Sequence, residues 1–315
     1  MLKFVLKRTL AGIGALVAVS LFIFFAIDAL PGDAATAVLG SSATAESLAQ
    51  LRAEFGLDRP AIVRYLDWMV AFLQGDLGRA MPSGTPIAEV LGPRILNTTL
   101  LAAFTLLFLV PIGLLLGTLA GARESSRLDR GVSVATLVFY SIPEFVIGAF
   151  FLLLFATWIP LFPAVSILDP WQSPLSQMQA FVLPMLTLLF AGVAQTARMV
   201  RASMTQVMHS PYIAMARLKG VPEWRVIVEH ALPNSLGPAL QIIAINLGWL
   251  FGGVVVVEAV FEFPGIGTAL TEAVSTRDVA TVQSLSLLIT GVFLVGSVLA
   301  DILAAIVNPR LRRTL

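Results

Sequence analysis

Apolar residues in this chain come in long unbroken blocks, and those blocks set the first expectation. A bilayer's hydrocarbon core of about 30 Å takes about 20 helical residues. Six blocks meet that length, from about Thr9 to Leu30, Leu96 to Ala120, Val132 to Trp158, Phe181 to Ala197, Ala239 to Val260 and Val282 to Val307. The runs are continuous rather than alternating, which predicts membrane helices and not barrel strands. Pro111 is expected to kink the second block. The N-terminal block is too long for a secretory h-region. Asp28 to Asp33, which follow it, lack a small-x-small cleavage pattern, so the first helix reads as uncleaved.

Polar positions orient the spans. With the N-terminus inside, Lys3, Lys7, Arg8, Arg123, Arg127, Arg130, Arg198, Arg201, Arg217, Lys219, Arg225, Arg310, Arg312 and Arg313 all fall on the cytoplasmic side. They are most of the 20 basic residues, as the positive-inside rule requires. Asp33, Glu46, Glu54, Asp58, Asp67, Asp76 and Glu89 fall outside. Both termini are therefore expected in the cytoplasm. Composition agrees: 57% of residues are hydrophobic and 12% charged, against about 25% charged in soluble domains, and mean hydropathy is +0.90. Cysteine is absent, which excludes a disulfide scaffold or thiolate metal site. A net charge of +1 gives no footprint for nucleic acid.

Only one outer segment is long, from about Pro31 to Arg94. Leu48, Leu51 and Phe55 recur at helical spacing before Gly56. Pro60 starts a second helix whose stripe is Ile62, Leu66, Met69, Val70 and Leu73, ending at Gly75. Tyr65 and Trp68 suit an interfacial belt. The segment reads as a short lid on the membrane or on neighbouring helices, since about 60 residues make a marginal independent core. Two shorter outer loops follow. Ile159 to Gln179 is rich in Pro and Trp. In Phe261 to Thr281, Pro264, Gly265 and Gly267 mark a tight, re-entrant turn.

The segment Ser210 to Pro238 is far longer than a connection between two spans needs. Ser210 is placed as an N-cap, Pro211 at the first helical position and Gly220 as a left-handed stop. A second helix begins at Val221-Pro222-Glu223, with Trp224, Val228 and Ala231 forming an apolar stripe opposite Arg225 and Glu229. Pro233 is expected to end it, the membrane helix resuming beyond Pro238. The product is a cytoplasmic helical hairpin carrying Arg217, Lys219 and Arg225 beside Tyr212, Met215 and Trp224. Such a hairpin suits an anionic lipid surface or a protein partner equally well.

The segment resembles the EAA loop of ABC-importer permeases, E-A-A-x3-G-x9-I-x-L-P. Aligned on Gly220, Ala214, Met215 and Ala216 stand under E-A-A, His230 under Ile, and Leu232-Pro233 under L-P. The Glu is missing, which is similar to the dipeptide/oligopeptide/nickel branch. Tyr212, Ala216, Arg217, Lys219, Gly220 and His230-Ala231-Leu232-Pro233-Asn234 match that branch. Its other motifs recur in order: Leu30-Pro31-Gly32-Asp33, Phe55 to Pro60, Gly75-Asp76-Leu77-Gly78, Ser141 to Phe145, Val257 to Phe261 with Pro264 to Gly267, and Asp301 to Arg310. Asn308 stands where the branch usually has Asp.

The resemblance implies an all-α polytopic membrane protein with six transmembrane helices and the type I importer permease fold. It divides the chain into residues 1–93, the first helix with the outer helical segment; 94–307, the permease core; and 308–315, a cytoplasmic tail. It implies a coupling helix made by Tyr212, Ala214, Met215, Ala216, Arg217, Lys219, Gly220, Trp224, His230, Leu232 and Pro233, docked into a nucleotide-binding subunit. Implied partners are a second permease subunit of homologous type, two ABC ATPase subunits, an extracytoplasmic solute-binding protein and the bilayer. No Gly-x4-Gly-Lys-Ser/Thr loop occurs, so ATP and Mg belong to the partner ATPases and no cofactor to this chain. Relatives carry dipeptides, longer peptides, glutathione or nickel chelates. A secondary transporter or channel driven by an ion gradient is the alternative from another class.

Ionisable and polar residues inside the spans are candidates for function. Glu144, Gln195, Gln241 and Asn246 are possible pathway groups, or packing groups. Asp301 is expected to pair within the bundle. Asp28 and Glu258 sit near outer ends and are expected to reach water, while Arg198 and Arg201 are expected to snorkel at the cytoplasmic end. His209 and His230 flank the hairpin without a third ligand at metal spacing. No Ser/His/Asp triad or carboxylate pair falls in a span, so the chain is not expected to be an enzyme.

Overall fold

The computed structural model describes residues 2–29, 34–81, 83–169 and 171–307. In chain order its helices are α1 (Leu2–Asp28), α2 (Ala34–Leu39), α3 (Ala45–Glu54), α4 (Ala61–Leu73), α5 (Ile87–Ala122), α6 (Arg127–Ser141) and α7 (Glu144–Leu152). Then come α8 (Met178–Met208), α9 (Pro211–Leu218), α10 (Glu223–Arg225), α11 (Leu232–Phe261), α12 (Ile266–Ser275) and α13 (Val279–Val307). Wide π turns continue α7 over Leu153–Trp158 and join α10 to α11 over Val226–Ala231. Among the described residues, four helices are long and apolar enough to cross a membrane, or up to six if two bent pairs each count as one span. The protein is an all-α polytopic membrane protein.

Both bent pairs have local causes. The third apolar block is not one straight helix: α6 and α7 meet at 97°. Pro143 offers no N–H and pushes the residue before it out of the helical region. Ile142 accordingly lies at φ −90°, ψ 126° and Pro143 at ψ 141°. The second pair, α11 and α12, bends by 80° through Glu262, which is left-handed at φ 48°. The expected tight turn is therefore present. Pro111, by contrast, sits inside one continuous 36-residue α5.

The most extensive helix pair is α5 with α8. Gly113, Gly117 and Gly121 recur every fourth residue on α5, so one face of the helix has no side chains. A Cβ at Gly117 would stand 2.7 Å from the carbonyl oxygen of Ala197, and one at Gly121 2.7 Å from that of Arg201. This is the small-residue contact by which membrane helices gain close van der Waals packing when lipid offers no hydrophobic drive. Beside it lies the main apolar core, where Leu101, Phe151, Phe181, Leu188, Leu250 and Phe261 meet.

The outer segment packs differently from its pattern. Gly56 stops α3 at φ 62°, as expected, and α4 begins after Pro60. Ile62, Leu66, Val70 and Leu73, however, face outward, and Tyr65 is buried. The Tyr65 hydroxyl lies 2.7 Å from that of Ser20 on α1, and its ring meets Phe24 edge-on at 5.4 Å. Tyr65 thus belongs to a helix contact rather than to an interfacial belt. Asp28 stays exposed to solvent, as expected, and also forms an ion pair with Arg64 of α4. The polar ends of α1 and α4 satisfy each other because the two helices touch there.

Candidate functional site

The hairpin forms where it was expected, with different packing. Pro211 opens α9, and Gly220 closes it at φ 78°, a left-handed conformation that side-chain-bearing residues rarely adopt. The Ser210 hydroxyl does not cap the helix; it turns back and donates to the Val207 carbonyl at 2.6 Å. The second arm does not stop at Pro233. It passes through the π turn into α11, which runs helically past Pro233 and Pro238. Pro233 falls at the start of α11, where a missing N–H costs least.

The π turn also changes which residues face inward. A 3.6-residue period places Trp224, Val228 and Ala231 on one stripe. In the structure Val226 and Ala231, five apart, are the buried pair, and Trp224 and Val228 are exposed. Val226, Ala231 and Ile213 close on Met204 and Met208 at the end of α8, with Ala216 packed against them. This small core holds the hairpin to α8, the most buried of the long helices.

The opposite face is open. Tyr212, Met215 and Leu218 follow one another at three-residue spacing along α9, and Leu218 is 83% exposed. With Trp224 they form an apolar surface rimmed by charge. Ala214, Arg217, Lys219 and Gly220 are exposed beside them, His230 and Leu232 are half-buried, and Pro233 is exposed. Leu218 was absent from the residues singled out by motif; its signal is the spacing from Tyr212 and Met215. Arg225 lies over the Trp224 ring at 5.2 Å and 3.8 Å from Glu229. His209 anchors the approach, sharing a 2.8 Å hydrogen bond with the Thr205 carbonyl and lying 3.4 Å from Glu124.

Arg217 bridges the turn to Glu223 through contacts of 2.5 and 3.1 Å. Hydrogen bonding to Arg217 holds the Glu223 carboxyl below its ordinary value of 4.5 and raises the guanidinium. A depressed carboxylate stabilises the folded turn at pH above its unfolded value and stops doing so as pH falls through its folded one. The pair is half-exposed and contributes no more than about 1 kcal/mol. Amide exchange at residues 219–221, corrected for intrinsic rate, is expected to stay level from neutral pH down to that ordinary value and to rise only below it. Arg217→Ala should remove this pH dependence.

A second set of residues surrounds the break at Pro143. Glu144 opens α7 and lines a cavity of about 440 Å³ with Phe139, Tyr140, Ser141, Ala191, Gln195 and Trp249. Two pathway candidates from distant parts of the sequence, Glu144 and Gln195, thus share one wall. Asn246 does not line it: this residue is fully buried and donates to the Thr196 hydroxyl at 2.8 Å. Gln241 and Asp301 have side chains outside the described residues, as do the segments Leu30 to Asp33 and Asn308 to Arg310. Arg201 does not snorkel but forms a two-pronged ion pair with the buried Asp129, one contact being 2.9 Å. Arg198 rests over the Tyr140 ring at 5.3 Å. Among the described residues no group of three metal-ligating side chains occurs.

Glu258 is the residue whose pattern misled most. It is fully buried rather than solvated. Its carboxylate accepts from the Thr98 hydroxyl at 2.6 Å and from the backbone N–H groups of Gly267 at 2.7 Å and Thr268 at 3.2 Å. The free N–H groups at the start of α12 make a natural carboxylate site. A Cβ on Gly267 would come within 2.8 Å of that carboxylate. This explains why glycine follows the Pro264 turn. Thr98 also accepts from the N–H of Ile266, and Asn97 donates to the Pro264 carbonyl, both at 2.9 Å. The tight turn is therefore fastened to α5.

Comparison with known proteins fits this architecture. The chain is 32% identical to a probable peptide ABC transporter permease of Sinorhizobium fredii, over 98% of this chain and 99% of that one. It is 33% identical to a glutathione transport system permease of Salmonella typhimurium, over 99% of both chains. Residues 113–313 match the model for the binding-protein-dependent transport system inner membrane component, and residues 1–112 match that for its N-terminal part. A multi-pass inner-membrane bundle with a bent third span, matched over its whole length, belongs to the family of binding-protein-dependent transport system inner membrane components, the permease subunits of ABC importers.

Proposed function

We propose that this chain is one of two permease subunits of an importer that moves peptides, or a related small solute, from an extracytoplasmic binding protein into the cytoplasm. Two ATPase subunits, carrying ATP and Mg, supply the energy through the hairpin. The observation that carries this reading is the two-faced hairpin. One face is locked to α8 by Ile213, Val226 and Ala231; the other presents Tyr212, Met215, Leu218 and Trp224 uncovered. An apolar helix face next to fixed charges is suited to a groove on a protein partner. A rigid anchor behind it lets displacement of the hairpin move α8 and, through the glycine contact, α5. The similarity to peptide and glutathione permeases supports a solute of that size.

The test alters the open face and leaves the locked face alone. Leu218→Glu and Met215→Glu are expected to reduce co-purification of the ATPase subunits at least about tenfold, equivalent to about 1.4 kcal/mol, with membrane insertion unchanged. Ala216→Glu is a poorer probe, because Ala216 packs against the Met204 and Met208 core and the hairpin itself would suffer. Normal ATPase recovery with both variants would refute the docking role. Uptake by the purified chain alone on an ion gradient would refute the importer reading as a whole.

A further inference from the structure

The break at Pro143 leaves a carboxylate on the wall of an open cavity whose rim includes the exposed Tyr140 and Ser141. At about 440 Å³ the cavity is the size of a small-ligand site. A membrane-embedded acid ordinarily has a partner, yet the ion pairs formed among the described residues do not include Glu144. Its partner is the Trp249 indole, which lines the same cavity within hydrogen-bonding reach of the carboxylate. A carboxylate beside an indole offers an organic cation both charge attraction and a cation–π surface. Gln195 adds an amide that can donate and accept.

A second hollow of about 370 Å³ shares Tyr140 and Gln195 with the first and reaches Arg198. Gln195 and Arg198 are three residues apart on α8, about 4.5 Å along the axis. Negative charge therefore lines one of two adjoining hollows and positive charge the other. A two- or three-residue peptide spans about 7–11 Å, with an ammonium at one terminus and a carboxylate at the other.

We propose that the adjoining cavities are a solute-contact site in which Glu144 and Trp249 take the primary ammonium group of the passing solute. The ligand class, short zwitterionic peptides, rests on the peptide-type reading above; the ammonium contact rests on the cavity. Glu144 also stands in the first turn of α7, where any carboxylate favours the helix. That structural role has no bearing on which ions enter the cavity, and the two roles separate on this point.

The chain lacks cysteine, so Ser141→Cys places its one thiol on the cavity wall. The complete transporter is reconstituted and modification of this chain is followed by mass. The probes are a cationic trimethylammonium-ethyl and an anionic sulfonatoethyl methanethiosulfonate. The cationic-to-anionic rate ratio is expected to fall at least about tenfold when Glu144→Gln is added, since a nearby unit charge favours one reagent and opposes the other. Dialanine should slow modification, and N-acetyl-dialanine should not. An unchanged ratio in Glu144→Gln overturns the proposal. So does a thiol that neither reagent reaches while Ser173→Cys on the exposed outer loop reacts freely. A Glu144-dependent ratio without protection by dialanine or trialanine upholds the ammonium contact and removes the peptide reading.

Discussion

Gly117→Leu is expected to abolish folded, assembled protein in the membrane. A single added Cβ would meet Val200 Cβ at 2.5 Å and the Ala197 carbonyl at 2.7 Å. The second of these is backbone and cannot rotate away. The helices must separate along the face where the longest pair in the bundle meets, and packing attraction falls steeply with such a gap. Gly117→Ala alone should cost about 1–3 kcal/mol, the usual range for overpacking; the three further carbons of leucine have no space to enter. Gly92→Ala is the control within the same helix. Nothing lies within 4 Å of its added Cβ, and helix propensity favours Ala by up to about 1 kcal/mol. The measurement is thermal melting of the detergent-solubilised protein with its yield from membranes. A Gly117→Leu protein that melts within about 2 °C of the parent would disprove the close-contact argument.

Glu258→Ala should be the next most damaging change, with a loss confined at first to one end of the molecule. Removal of the carboxylate strands the Thr98 hydroxyl and the N–H groups of Gly267 and Thr268, all paired through it. A buried donor left unpaired costs about 1–3 kcal/mol, so the tight turn should lose several kcal/mol of local stability. Proteolysis within residues 262–265 and loss of solute uptake are the expected readouts, with α5 and α8 still protected. Glu258→Gln should be much milder. Its amide oxygen can still accept from the start of α12, and its NH2 can donate to Thr98. Equal damage from Gln and Ala would mean that the negative charge, not the hydrogen-bond set, holds the turn. Thr98→Val combined with Glu258→Ala should cost less than the two singly, because they remove one shared interaction.

Much of the fold could be read from residue order. Six apolar blocks gave the spans, Gly56 and Gly220 gave helix ends, and Pro264 with its glycines gave the tight turn. Each of these is decided within a few residues: by the length of an apolar run, by the φ that only glycine takes easily, or by the N–H that proline lacks. The misplaced residues have a different origin. Val226 and Ala231 carry the inner face of the hairpin because a π turn shifts the period by more than one residue. Tyr65 turns inward because Ser20 stands opposite it on another helix. Periodicity within one segment contains neither fact.

The same division runs through the charges and the candidate site. Arg201 and Glu258 each lie near the end of an apolar run, and position alone suggests that each reaches water. Asp129 and the amides of α12 meet them instead, from 72 residues away in the chain for Arg201 and Asp129. Burial of a charge in this bundle depends on whether a partner is supplied, and tertiary contact supplies it. Glu144 could be identified as unusual from its depth; only the fold sets it in one cavity with Gln195 and Trp249.

The sequence by itself determined that this chain spans a membrane, where its hairpin lies and the family to which it belongs. Those properties depend on run length and on motifs within local reach. Tertiary structure alone decided which face of the hairpin is free, how α5 and α8 approach through glycine, and which buried charges are neutralised by neighbours. Those outcomes depend on distances between segments far apart in the chain, which helix packing sets and local periodicity does not encode.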